Sequence, residues 1–263
     1  MAQPEIRFED GAAYEAGMGR WSLLAGNVFL DWLAPPTGLR WIDVGCGSGA
    51  FTELLAERFA PSEMHGVDSS GAQLAFARQR PTARGATFRE GDAMALPFAD
   101  DRFDAAVMAL VIFFVPDPDK GVAEMVRVVT PGGLVAAYAW DIAGGGFPFE
   151  PIRDEVRAMG FQPPAPPSAP VSRMDALRDA WQRAGLEAIE TREITVQRTY
   201  SGFDEFWTKS TATGGSRAMI SVLPPDVLEQ VKQRVQAKLP VDAQGRITTS
   251  ARANAVKGRV PER

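Results

Sequence analysis

The chain has 263 residues, 45% of them hydrophobic, and carries 28 Lys and Arg against 33 Asp and Glu, a formal net charge of -5. That length and apolar content suit one large α/β domain with insertions, while the acidic balance argues against nucleic acid, whose phosphates need clustered cations. The single cysteine, Cys46, excludes an intrachain disulfide framework and a cysteine-based zinc site, and no residue is assigned to a metal.

No uncharged apolar stretch reaches the roughly 20 residues of a membrane span. The start, Met-Ala-Gln-Pro-Glu-Ile-Arg, lacks the basic and then apolar pattern of a leader, so a cytoplasmic location is expected.

Leu39, Trp41, Ile42 and Val44 read as a buried parallel strand, because strands covered on both faces are continuously apolar. Gly45, Gly47 and Gly49 then allow a sharp turn and close approach to a ligand. From Phe51 to Phe59 the apolar residues recur at helical spacing, so the helix N-terminus is expected to offer free N–H groups at the turn. The run Gly45-Cys-Gly-Ser-Gly-Ala50 also fits the G-x-G-x-x-A dinucleotide fingerprint, so the glycines alone do not separate a nicotinamide enzyme from other nucleotide binders.

A second strand, Met64 to Asp68, ends in an acid about 20 residues after the turn, the spacing that brings a carboxylate to ribose hydroxyls. Ala72 to Arg80 is predicted as a helix stopped by Pro81. Ala86 to Asp92 and Phe103 to Leu110 are the third and fourth strands, and Asp119 to Val129 is a helix with Val122, Met125, Val126 and Val129 as its stripe. Pro131-Gly-Gly supplies a turn before a fifth strand, Leu134 to Trp140.

Beyond Asp141 the composition changes. A short helix is predicted around Ile152 to Met159, followed by Pro163-Pro-Ala-Pro-Pro-Ser-Ala-Pro170, read as an exposed extended connector. Arg173 to Ala184 is helical with Gly185 at its C-cap, Leu186 to Val196 is a sixth strand, Phe203 to Leu239 is helical, and Arg246 to Val260 is a seventh strand. The basic residues Arg246, Arg252, Lys257, Arg259 and Arg263 alternate with apolar ones, as on a solvated edge. The fold expected is α/β, an open, doubly wound, mostly parallel seven-stranded sheet with helical lid insertions, binding ligands at the carboxyl ends of its strands. Its divisions are an N-terminal helical segment over 1–38, a core over 39–141, a Gly/Pro-rich insertion over 142–172, and a C-terminal part over 173–263 with a helical insert at about 201–240.

The series Ile42-Asp-Val-Gly-Cys-Gly-Ser-Gly, Gly66-Val-Asp-Ser-Ser, Gly91-Asp-Ala-Met-Ala-Leu-Pro-Phe, Phe103-Asp and Thr130-Pro-Gly-Gly-Leu resembles the class I S-adenosylmethionine-dependent methyltransferases. The similarity is greatest to the small-molecule branch that includes the ubiquinone and menaquinone C-methyltransferases. It is strong over residues 39 to 141 and holds only in outline elsewhere.

The resemblance implies S-adenosylmethionine as cofactor, S-adenosylhomocysteine as product, and a small, apolar or aromatic acceptor. It implies that Asp43 organises the loop and binds the cofactor's amino acid end, that Gly45, Cys46 and Gly47 offer backbone contacts, and that Asp68 takes the ribose hydroxyls with Ser69 beside the adenine. It also places Asp92 on the adenine amino group, the backbone of Ala93 on the ring edge and Ala109 against the methionine portion. The N-terminal segment and the insert before the seventh strand would cover the site. Tyr14, Met18, Arg20 and Trp21 resemble such a lid, with Arg20 a partner for the cofactor carboxylate; alternatively Trp21 and Leu24 are the stripe of a packing helix.

Phe113, Phe114, Phe147, Phe149, Phe206 and Trp207 are candidates for an apolar acceptor pocket. Methyl transfer from a sulfonium is an in-line displacement in which alignment alone can supply roughly 7–11 kcal/mol, and a base is required only for an acceptor that starts protonated. Relatives in the resembling branch often carry a His soon after the fourth strand, where this chain has Val111-Ile-Phe-Phe-Val115. The only histidine, His65, lies on the second strand about 10 Å from the ligand-facing end. Tyr14, Asp117, Asp141, Tyr200 and Asp204 are the remaining candidate bases, with Tyr14 and Asp141 foremost. Two other classes stay open: a nicotinamide-dependent oxidoreductase, which would share the glycine loop and Asp68, and a non-catalytic protein that binds the cofactor or its demethylated product. Oligomeric state is left open.

Overall fold

The computed structural model describes residues 15–81, 85–212 and 214–262. They form one seven-stranded sheet of β1 (Arg40–Val44), β2 (Glu63–Asp68), β3 (Ala86–Glu90), β4 (Phe103–Ala109), β5 (Val129–Trp140), β6 (Glu187–Tyr200) and β7 (Ile247–Arg259). The spatial order is β3-β2-β1-β4-β5-β7-β6. The first five strands are parallel, and β7 runs antiparallel between β5 and β6.

Helices α1 (Arg20–Leu33), α2 (Ala50–Phe59), α3 (Gly71–Ala77), α4 (Pro118–Val128), α5 (Glu150–Ala158) and α6 (Met174–Arg183) connect or cover these strands. Helices α7 (Phe203–Thr211), α8 (Gly214–Ser221) and α9 (Pro225–Lys238) fill the connection from β6 to β7. In α1 the buried residues Trp21, Ala25, Phe29 and Leu33 recur every fourth position, so a single stripe meets the sheet. Each large side chain so buried is worth about 1.5–3 kcal/mol. Helix α4 starts where Asp117 accepts a hydrogen bond from the Lys120 N–H at 3.1 Å, with Pro118 in the first turn.

Three sequence readings need correction. Strand β5 begins at Val129 rather than Leu134, because Val129 already pairs with Phe103 and the Pro131-Gly132-Gly133 turn is absorbed as an irregularity before Ala105 pairs with Leu134.

The proline run is docked along part of its length, with Ala165, Pro167 and Pro170 left exposed. Pro163, Pro164 and Pro166 are buried, Ser168 donates through its hydroxyl to the Val115 carbonyl at 2.8 Å, and its N–H donates to the Phe113 carbonyl at 3.0 Å.

The basic C-terminal strand is interior to the sheet, since β7 is flanked on both sides. Arg252 pairs with Asp141 at 2.7 Å and Lys257 with Glu190 at 3.3 Å, the exposed Arg259 donates to the Gly132 carbonyl at 3.1 Å, and Arg246, just before the strand, pairs with Asp242 at 2.8 Å. Arg263 lies outside the described residues. Among the described residues no helix is long and apolar enough to cross a membrane.

Candidate active site

The carboxyl ends of β1, β2 and β4 open onto a cavity of about 340 Å³. Gly45, Cys46, Gly47, Asp68, Ser69, Asp92, Ala93 and Ala109 all line it, so residues up to 64 positions apart in sequence converge on one volume. Parallel strands bring this about by ending on the same side of the sheet.

The glycine loop is held from within the protein. Gly45, Gly47 and Gly49 have φ of +77°, +52° and +78°, conformations that only glycine adopts cheaply. The N–H groups of Gly45 and Cys46 donate to the Val67 carbonyl at 2.7 and 3.0 Å, that of Gly49 donates to the Cys46 carbonyl at 2.9 Å, and that of Gly47 donates to Asp68 Oδ2 at 2.8 Å. The N–H groups of Gly45, Cys46 and Gly47 are thus engaged within the protein, which leaves their carbonyls for the backbone contacts expected of these residues.

Asp68 also accepts from the Ser70 N–H at 2.8 Å through Oδ1, and Ser70, not Asp68, caps α3 by accepting from the Gln73 N–H. Its carboxylate is thereby fixed in orientation with lone pairs to spare. Asp92 accepts from the Met94 N–H at 2.8 Å, which folds the turn after β3 around the cavity. The charged residues among the described lining are these two acids.

Asp43 lies beneath the loop, fully buried and not in the lining. Its Oδ2 accepts from the Thr52 hydroxyl at 2.7 Å, and its Oδ1 has no partner. Burial, opposed by the Thr52 hydrogen bond and reinforced by Asp68, pushes its carboxyl up to about 7. A raised carboxyl contributes stability that is fully present below the ordinary aspartate range and is lost as pH rises through about 7. Asp43→Asn keeps an acceptor for Thr52 and removes this penalty. Its melting temperature is therefore expected to gain on the unsubstituted, ligand-free protein as pH goes from 5 to 8; a gap that does not change with pH would show a solvated carboxylate instead.

Other expectations fare differently. Arg20 is exposed and outside the lining. Met18 and Trp21 are core residues, Trp21 donating through Nε1 to the Tyr200 hydroxyl at 3.1 Å; α1 instead reaches the cavity through Ser22 and Leu23, on its other side. Asp141 is corrected as a base: it is held by Arg252 at 2.7 Å and by the Gly144 N–H at 2.9 Å, away from this cavity. Asp117, Tyr200 and Asp204 are also absent from the lining, and Tyr14 lies outside the described residues.

His65 stays on β2, 2.7 Å from Glu63 and edge-on to Phe98 and Phe103. Of the proposed pocket aromatics, Phe114 lines the cavity, whereas Phe113, Phe147, Phe149, Phe206 and Trp207 do not. Cys46 is 7% exposed and burial pushes its thiol up, so it is a neutral wall group.

Among the lining residues missed in the sequence are Phe51, Leu54, Gln73, Leu110, Val111, Val115, Pro116 and Tyr138, besides Ser22 and Leu23. A signal was present for the segment after β4, since the carboxyl end of a parallel strand is where ligands sit. Leu110 there takes φ +62° and donates its N–H to the Tyr138 carbonyl at 2.8 Å.

A glycine loop after β1, acids after β2 and β3, and an antiparallel β7 inserted between β5 and β6 define a Rossmann-like fold of the methyltransferase kind. Residues 42–137 match the family model described as a methyltransferase domain. The matched segment holds the glycine loop, Asp68, Asp92 and Ala109, so most of the cavity wall lies within the part of the chain that is similar to a methyltransferase domain.

Over 96 residues the chain is 42% identical to the 2-methyl-6-phytyl-1,4-hydroquinone methyltransferase 2 of Oryza sativa subsp. japonica, covering 36% of this chain and 28% of that protein. Over 116 residues it is 40% identical to the demethylmenaquinone methyltransferase of Thermus thermophilus, covering 43% and 51%. The chain thus spans about half or less of the length of these curated relatives. Its fold is similar to that of Haemonchus contortus phosphoethanolamine N-methyltransferase 2 in complex with S-adenosyl-L-methionine, with TM-score 0.58, 19% identity, and coverage of 95% of this chain and 56% of that one.

Proposed function

We propose that the chain moves a methyl group from S-adenosylmethionine to a small, apolar or aromatic acceptor. The observation that carries this reading is the charge of the cavity: the glycine-loop N–H groups of Gly45, Cys46, Gly47 and Gly49 are engaged within the protein, and the charged residues among the described lining are Asp68 and Asp92. A cofactor that carries a sulfonium and no phosphate suits such a wall, whereas a nicotinamide dinucleotide would bring its diphosphate against two acids and a loop whose Gly45, Cys46 and Gly47 N–H groups are already engaged.

The residues present fit the group. Asp43 Oδ1 is an orphaned buried acceptor under the loop, and nothing lies within 4 Å of where a Cβ on Gly47 would stand, leaving room for close approach. In this reading Asp68 holds the ribose hydroxyls with the lone pairs left after Gly47 and Ser70, Asp92 and Ala93 meet the adenine, and Ala109 lies against the methionine portion. When bound, the sulfonium supplies a methyl group already activated for displacement.

Leu23, Phe51, Leu54, Phe114, Val115 and Pro116 supply an apolar wall that excludes water and favours an apolar acceptor. Catalysis by these residues is positioning, which can lower a barrier by roughly 7–11 kcal/mol.

Calorimetric titration of cofactor-stripped protein with S-adenosylmethionine, S-adenosylhomocysteine and NADH tests the reading. Micromolar binding of the first two without NADH is expected, followed by S-adenosylhomocysteine release in a screen of hydroquinones, phenols and fatty acids. Selective NADH binding would overturn it.

A further inference from the structure

A loop with three of its five residues in the left-handed region has many unfolded conformations open to it, so its bound shape must be imposed from outside. On one side β2 does this, through the Val67 carbonyl and the Asp68 carboxylate. The other side is held by a residue that no motif marks. Arg80, just past α3 and before Pro81, donates through Nε to the Ser48 carbonyl at 2.6 Å and through Nη2 to the Ser48 hydroxyl at 3.3 Å. Its Nη1 donates to Glu53 in the first turn of α2 at 2.8 Å.

We propose that Arg80 is a positioning residue for cofactor binding: it clamps the carbonyl side of the glycine loop to α2 and so presets the loop that Asp68 grips from the N–H side. This rests on reading the cavity as the cofactor site. Arg80 does not itself line the cavity.

Three features make the clamp specific. The planar guanidinium reaches three acceptors on two segments at once, which an ammonium cannot reproduce. A lone cation beside the N-terminus of α2 would be repelled by the helix dipole, and Glu53 in that first turn offsets it. The approach is also close: a Cβ on Gly49 would stand 3.0 Å from Ala77 Cβ and 3.4 Å from Arg80 Cδ, so the end of α3 is pressed against the loop.

The test compares the unsubstituted chain with Arg80→Met, which keeps the stem against Gly49 and removes the fork. Titration with S-adenosylhomocysteine should show Kd raised about tenfold, the loss of charge-assisted hydrogen bonds at one step's remove. Amide hydrogen exchange should quicken at residues 43–52 and nowhere else of comparable size, with the melting temperature within a few degrees. Arg80→Lys should fall between the two, since charge alone is not the clamp.

If Arg80→Met fails to fold, Glu53→Gln carries the test, with a smaller rise in Kd and the same localised exchange. Equal Kd in the folded variants and the unsubstituted chain overturns the role of Arg80 alone; no binding by the unsubstituted, folded chain overturns the cofactor site and this inference with it.

Discussion

Asp68→Ala should weaken binding of S-adenosylhomocysteine by about a hundredfold or more while the protein stays folded. Two hydrogen bonds from ribose hydroxyls to a carboxylate are worth about 1.5–3 kcal/mol each, and each 1.4 kcal/mol is a factor of ten. The structure adds a second contribution, because the same carboxylate orients Gly47 and Ser70 at 2.8 Å each. Its removal both deletes the ligand's partner and loosens the loop. Asp68→Asn separates the two: one oxygen remains to accept, and the amide group that replaces the other cannot accept from Gly47 or a hydroxyl, so a loss near the square root of the alanine effect is expected. Calorimetry measures the affinity and circular dichroism the fold. Unchanged affinity in folded Asp68→Ala would remove the ribose assignment.

Residues that line the cavity at strand ends were legible in the sequence because their positions follow from local pattern. Asp68, Asp92 and Ala109 each close or follow an apolar run, and a parallel sheet delivers such residues to one edge whatever lies between them. Partners set by tertiary packing were not legible. Asp141 has the polarity of a base and the right distance past a strand, yet its partner Arg252 lies 111 residues away, and that pairing turns it into a structural ion pair. Trp21 is 179 residues from Tyr200, so no local pattern separates a core tryptophan from one in a lid.

The proline run misled for a related reason. Composition reports how a segment behaves in water, and the surface that buries Pro163, Pro164 and Pro166 is supplied elsewhere, with Phe113 and Val115 taking the hydrogen bonds of Ser168. Glu155 is similar: a charged residue of a surface-like helix, it is 2% exposed because Arg234 and Lys238 of α9 enclose it and hold its carboxyl below the usual range.

The glycines of the loop were legible as a group, but their separate demands were not, and this gives the second large effect. Gly45→Ala should be far more damaging than Gly47→Ala. Both substitutions place a side chain in the left-handed region, which costs about 1–2 kcal/mol. At Gly47 a Cβ meets nothing within 4 Å, so that backbone cost is the whole expected loss of stability in the ligand-free protein. At Gly45 a Cβ would stand 2.4 and 2.6 Å from the two methyl carbons of Val111. Val111 is β-branched, with few rotamers to escape into, and sits between Leu110 at φ +62° and the 3₁₀ turn Ile112–Phe114. Either the loop or the opposite wall must shift, adding about 1–3 kcal/mol of overpacking. Val111→Ala removes both methyls, so the double variant Gly45→Ala/Val111→Ala should recover the steric part and keep the backbone part. Urea unfolding of the four proteins in that cycle should therefore show a coupling of about 1–3 kcal/mol in favour of the double variant. Strict additivity would mean that Gly45 answers to its own dihedral angles and not to the wall it faces.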